Sequence, residues 1–395
     1  MNPMNFIIPF SGRAHAYTED ELQTIMDVAK GAVPLTQGSH LQKFEAAFRA
    51  YARVSHVFAV NNATAALELS AQLCQFKPGD EVIIPSHTFT ASAYPFLKKG
   101  AKIVWADIDL RTRVVTAETI ERCITPNTRA VVVVHLYGYG ANMPAIVQLV
   151  EKHNILLIED AAQALGSDID DKMAGTFGDF GVFSFHSHKN ITTLGEGGML
   201  VVKDDTIAKI IPQLRHNGHC SFDYERQDYW VPAMGNVDIP ELNGERLMPN
   251  NYCIGEVECA LGVKLLQRID MLNAVKRMRA LRFIDALADY PQLQFHRVAT
   301  ARHNYHLLVA KVENGWRDAF IRLMAQEYGI QCVVQYYPLN RYPFYQKSGY
   351  GEANCPHADD FFDNMVSFPF QHTLREEELD YIISSIRAVV TKLAA

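Results

Sequence analysis

The chain predicts an α/β protein: a large, mainly parallel sheet covered by helices on both faces, followed by a smaller C-terminal α/β domain. Three observations carry this. Between residues 57 and 202, short runs with apolar character on both faces alternate with helical stretches, as in strands buried between helix layers. A long segment of helical periodicity comes next, and strand-like and helical runs then resume on a smaller scale. At 395 residues the chain is also long enough for two domains, expected over 1–260 and 261–395.

The elements follow in order. Thr18 with Glu21 reads as a capping box, opening a helix with Leu22, Ile25, Met26 and Ala29 on its apolar side. "HVFAV", "EVIIP", "KIVWADID", "RAVVVVHL", "ILLIED", "GVFSF" and "GGMLVV" are the expected strands, with "ATAALELSAQLCQ" and "NMPAIVQLVEKH" among the helices between them. Ligands collect at the carboxyl ends of strands in such sheets, where the "ED" of "ILLIED" and the "HSHK" after "GVFSF" project. Residues 218–250, rich in aromatics and proline, are expected as a long inserted loop. Leu261, Leu265, Ile269, Leu272, Val275 and Met278 recur at steps of three or four, predicting one helix from 256 to about 289. The C-terminal domain should hold strands at "YHLLVAKV" and "IQCVVQYY", a helix around "WRDAFIRLMAQEYG" and a last helix from near Glu376.

Composition excludes several classes of function. Apolar residues make up 48% and charged residues 21%, a globular balance. A formal charge of −7 without a basic block argues against nucleic acid or an anionic membrane as partner. Runs such as "AVVVVHLYGYG" are too short to span a bilayer. The N-terminal residues lack the basic and long apolar regions of a signal peptide. Seven scattered cysteines with no C-x-x-C pair suit a reducing compartment. A soluble cytoplasmic protein is expected.

Three segments could carry chemistry. In "NNATAALELS" (61–70) small residues at a strand-to-helix junction leave backbone N–H groups free at the positive end of the helix, either a phosphate site or a plain cap by Asn62 or Thr64. Asp160 ends an apolar strand and suits a metal ligand, a general base, the partner of a cationic ring nitrogen, or a helix cap. Lys189 lies in "GVFSFHSHKNITTLGEGGMLVV" (181–202), past a strand and ahead of Gly195, Glu196, Gly197 and Gly198. Glycines there let a ligand approach the backbone. Burial beside His186 and His188 would lower the amine's pKa and free it for Schiff-base formation, unless it is simply a solvated loop lysine. "HSHK" and "RHNGHC" match no structural zinc spacing, and no metal site is expected. Neither a Walker-type phosphate loop nor a G-x-S-x-G elbow is present.

In this order and spacing, the 62–64 loop, "PSHTFTAS", "EDAAQALGS" and "FSFHSHKNITTLGEGG" resemble the DegT/DnrJ/EryC1/StrS family of sugar aminotransferases. The likeness extends over nearly the whole chain, through "PLTQG", "KPGDEVIIP", "NYCIGEVECALG" and the tail "VVQYYPLN" to "SFPF". It implies the aspartate aminotransferase fold (fold type I), with a large domain binding pyridoxal 5'-phosphate. By the same resemblance Lys189 would bond the cofactor and shuttle the substrate's proton, and Asp160 would pair with the ring nitrogen. Phe89 would lie on one ring face and Gln163 would hydrogen-bond the ring hydroxyl. Ala63, Thr64 and Ser184 would hold the phosphate, with Asn251 reaching it from a second subunit. A homodimer with shared sites is therefore implied, taking nitrogen from glutamate, which leaves as 2-oxoglutarate, and giving it to a keto sugar.

Three features depart from the family pattern. Asn62-Ala63-Thr64 has alanine where glycine is common, the tail reads Gln335-Tyr336-Tyr337-Pro338-Leu339-Asn340 where His-Tyr-x-Pro-Leu-His is common, and 218–250 is long. They weigh against a nucleotide-linked acceptor and for an unactivated or acidic one, namely 3,8-dideoxy-8-oxo-manno-octulosonate for lipopolysaccharide. Arg215, His216 and Arg246 are candidate contacts to its carboxylate. A dehydratase of the same family would carry histidine at 189, so lysine argues against it. No fused domain or basic patch favours a cofactor-binding sensor.

Overall fold

Seven strands form one sheet: β1 (His56–Val60), β2 (Glu81–Pro85), β3 (Lys102–Ala106), β4 (Thr128–Val134), β5 (Leu156–Asp160), β6 (Phe180–Ser184) and β7 (Gly198–Val202). Their spatial order is β1-β7-β6-β5-β4-β2-β3. All neighbours pair in parallel except β7, which runs against both β6 and β1. This computed structural model describes residues 5–10, 13, 15–221, 235–296 and 302–395. The strands are apolar on both sides because both sides are covered: every residue of β6 and β7 is buried.

Helix α1 (Glu19–Gly31) begins with the capping box of Thr18 and Glu21. Its expected apolar face is turned only partly inward: Val28 is buried, but Leu22, Met26 and Ala29 are exposed. α2 (Ser39–Ala52) follows, then α3 (Ala63–Leu73), which starts directly after β1. Asn62 caps α3 by accepting from Ala65 N at 2.9 Å, and Ala65 through Leu73 are all buried. α4 (Met143–His153) joins β4 to β5, and α5 (Asp205–Arg215) follows β7.

The single helix expected from 256 is two: α6 (Glu256–Leu266) and α7 (Ile269–Ala286). The break is set by tertiary contact. Arg268 leaves helical geometry at φ −120°, ψ 3°, and its guanidinium reaches across to the Glu21 carboxylate and the Ala16 carbonyl. The stripe is displaced too. Ile269, Leu272, Asn273, Lys276, Ala280 and Phe283 face inward, whereas Met278 is 62% exposed and Val275 only half-buried.

A second, antiparallel sheet of β8 (Leu293–Phe295), β9 (Leu308–Val312) and β10 (Met365–Phe368) packs with α8 (Arg317–Tyr328) and α9 (Glu376–Ala394). Its core, around Phe283, Phe320, Phe368 and Ile386, is separate from the core of the large sheet. "IQCVVQYY" does not form the expected strand; it makes only isolated bridges at Ile330 and Val333. Of the expected loop 218–250, the described part forms two short antiparallel strand pairs, His219–Cys220 with Asn236–Val237 and Glu241–Leu242 with Glu245–Arg246. Residues 222–234 of that stretch lie outside the described residues. No described helix is long and apolar enough to cross a membrane.

Candidate active site

The carboxyl ends of β1, β2, β4, β5 and β6 open on one edge of the sheet, and a cavity of about 700 Å³ lies there. It is of a size for a cofactor-sized ligand. Asn62, Ala63 and Thr64 after β1, Thr88 and Phe89 after β2, Val134 of β4, Asp160 of β5 and Ser184 of β6 all line it. So do Gln163 and Lys189. The lining also includes Lys276 on α7, His306 and Leu307 before β9, and Gln335, Tyr336, Phe370 and Gln371.

Each side chain is held by its local fold. Ser92 donates to Asp160 Oδ2 at 2.6 Å, and Ala162 N donates to Oδ1 at 3.1 Å. Gln163 Oε1 accepts from Tyr137 N at 2.6 Å, which turns Nε2 toward Tyr336 Oη at 3.0 Å. Burial raises the Tyr336 hydroxyl to about 12, keeping it neutral. Tyr137 in turn donates to the Gln335 carbonyl and meets His87 Nε2 at 2.7 Å.

Lys189 sits in a loop folded back on itself: Phe185 N bonds Gly197 O, Ser187 N bonds Gly195 O, and Thr193 N bonds Phe185 O. Tyr17 Oη pins this loop from outside through Thr192 O and Leu194 N. Burial lowers the Lys189 amine from 10.5 to about 8, with Asp160 opposing the shift. The lowering expected from His186 and His188 is not its cause; Lys189 and His186 instead depress His188, after burial.

The glycines serve the backbone first. A Cβ on Gly198 would lie 2.5 Å from Asn62 C and 2.7 Å from Ala63 N. Only glycine lets β7 pass that close to the start of α3, where the Ala63 and Thr64 amides have no intrahelical acceptor. Gly195, at φ +110°, makes the turn that brings the chain back.

The remaining candidates lie off the cavity wall. Arg215 is buried and committed to Glu45 and to the Ala59 carbonyl, so its guanidinium is spent on packing and not offered to a substrate. His216 stacks on His219 with centroids 4.4 Å apart. Arg246 is exposed and pairs with Glu241 across its hairpin at 3.2 Å. Asn251 is exposed, bridged to His216, and accepts from Cys253 N. Among the described residues no group of three metal-ligating side chains exists.

Sequence reasoning passed over Lys276 and His306. The signal was present: Lys276 occupies a stripe position between Leu272 and Ala280 where an apolar residue is due. Its Nζ donates to Asn190 Oδ1 at 3.1 Å and to the His306 carbonyl at 2.9 Å. Asn190 donates onward to Asn273 Oδ1 at 2.8 Å, and Asn304 to the Gln163 carbonyl at 2.8 Å. This buried network joins the neighbour of Lys189 to the small-sheet side of the cavity.

The DegT/DnrJ/EryC1/StrS aminotransferase family model matches residues 15–387. The chain belongs to this family. Spore coat polysaccharide biosynthesis protein SpsC of Bacillus subtilis is 32% identical over 98% of both chains. GDP-perosamine synthase of Caulobacter vibrioides is 32% identical over 89% of this chain and 91% of its own. The structure of Spr1654 from Streptococcus pneumoniae, solved in a PMP form, superposes with a TM-score of 0.85 at 28% identity, covering 98% of this chain and all of its own. As a DegT/DnrJ/EryC1/StrS aminotransferase the protein has the fold type I architecture, uses pyridoxal phosphate and transfers amino groups to keto sugars. The cavity fits that cofactor. Free amides at a helix start suit its phosphate, a buried amine near neutrality suits its aldehyde, and a fixed carboxylate suits its ring nitrogen.

Proposed function

We propose that this aminotransferase takes nitrogen from L-glutamate and gives it to an acidic keto sugar, 3,8-dideoxy-8-oxo-manno-octulosonate, for lipopolysaccharide. The observation that carries the acidic acceptor is an amine without a counter-ion in the cavity wall. Lys276 lines the cavity and makes no ion pair among the described residues, and Asp160 and Glu196 are the only acids among the described lining residues. An amine so placed favours an anionic group beyond the cofactor's phosphate.

In this reading bound pyridoxal phosphate supplies an aldehyde that condenses with amines and a ring that draws electrons from them. The protein does the rest. Ala63, Thr64 and Ser184 would hold the phosphate, Phe89 would lie against the ring, and Gln163 Nε2 would donate to the ring hydroxyl. Asp160, fixed by Ser92, would hold a proton on the ring nitrogen. Lys189 would carry a proton between the substrate's α-carbon and the cofactor, which its lowered basicity near pH 8 allows. Asn251 would reach the phosphate of a second subunit in a homodimer. Exposed apolar side chains at Leu22, Met26, Leu35 and Val33, the last 95% exposed, support such a contact. A cytoplasmic setting belongs to the same reading.

A nucleotide-linked acceptor is the second reading, favoured by the 32% identity to a protein named GDP-perosamine synthase. The test is direct. Glutamate should convert the yellow holoenzyme to its pyridoxamine-phosphate state, and the free octulosonate should return the visible band. Return of the band only with nucleotide-linked keto sugars would assign the second reading.

A further inference from the structure

Lys276 is a buried amine in the wall of the cavity, set there by the inward stripe of α7. A lysine ammonium has three donors. Two are used, and both on neutral acceptors, Asn190 Oδ1 and the His306 carbonyl. Among the described residues it makes no ion pair, whereas buried Arg215 has Glu45 and Arg268 has Glu21. The ring of His306 lines the same wall and makes no hydrogen bond among the described residues. Phe370, 5.9 Å from the amine, and Gln371 complete this corner.

Burying an amine without a counter-ion costs free energy that leucine or methionine at the same stripe position would not. The arrangement is explained if the counter-ion arrives with a ligand. The phosphate cradle at Ala63 and Thr64 is set by the end of β1 and the start of α3, whereas Lys276 and His306 come from α7 and the chain before β9, so the anion to be seated at Lys276 is taken to be a different one. A carboxylate suits the corner: one oxygen takes the unused ammonium donor and the other the imidazole N–H.

We propose that Lys276, with His306 beside it, is the receptor for a substrate carboxylate, that of the amino donor or that of an acidic keto sugar. This rests on reading the cavity as the site of amino transfer. Burial, the sole cause of its shift, holds the amine at about 7. It is therefore poised to take up a proton as the anion arrives. Desolvation pushes the His306 ring well below its ordinary value, with Lys189 and Lys276 adding to it, so it stays a neutral donor.

The test uses the holoenzyme and the variants Lys276→Gln and Lys276→Arg, with each half-reaction followed separately. L-glutamate is offered to the pyridoxal-phosphate form; an acidic and an uncharged keto sugar are offered to the pyridoxamine-phosphate form. Lys276→Gln should raise KM for the substrate whose carboxylate is seated there by about tenfold or more, with kcat changed far less and the uncharged sugar unaffected. Lys276→Arg should restore most of the loss. The half-reaction that suffers identifies the source of the carboxylate. If KM for both carboxylate substrates stays near wild type in Lys276→Gln, or rises equally for the uncharged sugar, the proposal is overturned. A crystal structure of the wild-type holoenzyme with α-methylglutamate, and one with the acidic sugar, test it without a variant. A carboxylate oxygen on Lys276 Nζ in either supports it; carboxylates elsewhere in both overturn it. Failure of amino transfer itself shows separately, as a wild-type visible spectrum that no amino acid changes.

Discussion

Ser92 Oγ donates a 2.6 Å hydrogen bond to Oδ2 of Asp160, with both side chains buried at the end of β5. Thr88 Oγ1 lies 3.0 Å from the same serine hydroxyl. The carboxylate is thereby aimed into the cavity. A hydrogen bond to a charged acceptor contributes about 1.5–3 kcal/mol. Ser92→Ala should leave the fold intact and lower kcat by about tenfold, with a smaller change in KM. Steady-state kinetics on the purified variant check this, and an unchanged kcat would remove Ser92 from the account.

Gly198→Ala should damage cofactor retention more than folding. The added methyl meets backbone atoms of Asn62 and Ala63, which cannot swing aside. Overpacking of this kind costs about 1–3 kcal/mol, here by pushing α3 away from the position its amides need. Dialysis followed by absorbance should show cofactor lost from the variant and kept by wild type.

The pH dependence of cofactor capture follows from the amine at 189. Its neutral form is the nucleophile, and burial sets its midpoint near pH 8. Below that pH the neutral fraction falls about tenfold per pH unit; above it the fraction saturates. Rapid mixing of the apo-protein with pyridoxal phosphate should therefore give a rate rising with pH and levelling just above 8. A rate still climbing steeply at pH 10 would mean an ordinary solvated lysine.

Glu159 is a test of stability. Fully buried, it accepts from Gly175 N, Phe177 N and Gly178 N and meets His135 Nε2 at 2.9 Å. It ties the turn before β6 to β5, one residue from Asp160. Glu159→Ala leaves these donors buried and unpaired, which should cost about 3–5 kcal/mol by chemical denaturation. A loss near zero would show that the turn is held by something else.

The large sheet was legible because both of its faces are buried, so each strand reads as a continuous apolar run. Most of the cavity was legible for a related reason: "ED", "HSHK" and the Asn62 junction each follow such a run. What escaped depends on contacts distant in sequence. No Gly or Pro marks the break at Arg268; Glu21, far along the chain, makes it. "IQCVVQYY" has strand composition but bridges a neighbour only at single residues. Arg215 reads as a free cation until the fold brings Glu45 to it. Lys276 is hidden because apolar Val275 and Met278 continue the stripe of Leu272 in sequence, although they lie beside the face that is buried.

Two amines of lowered basicity share this cavity, Lys189 at about 8 and Lys276 at about 7, so basicity alone does not say which one bonds the cofactor. Borohydride reduction of the holoenzyme, followed by digestion and mass spectrometry, decides it by freezing that bond on the chain. The pyridoxyl mass should appear on the peptide containing Lys189 and on no other. Its appearance on the peptide of Lys276, or on neither, would contradict the account at its centre.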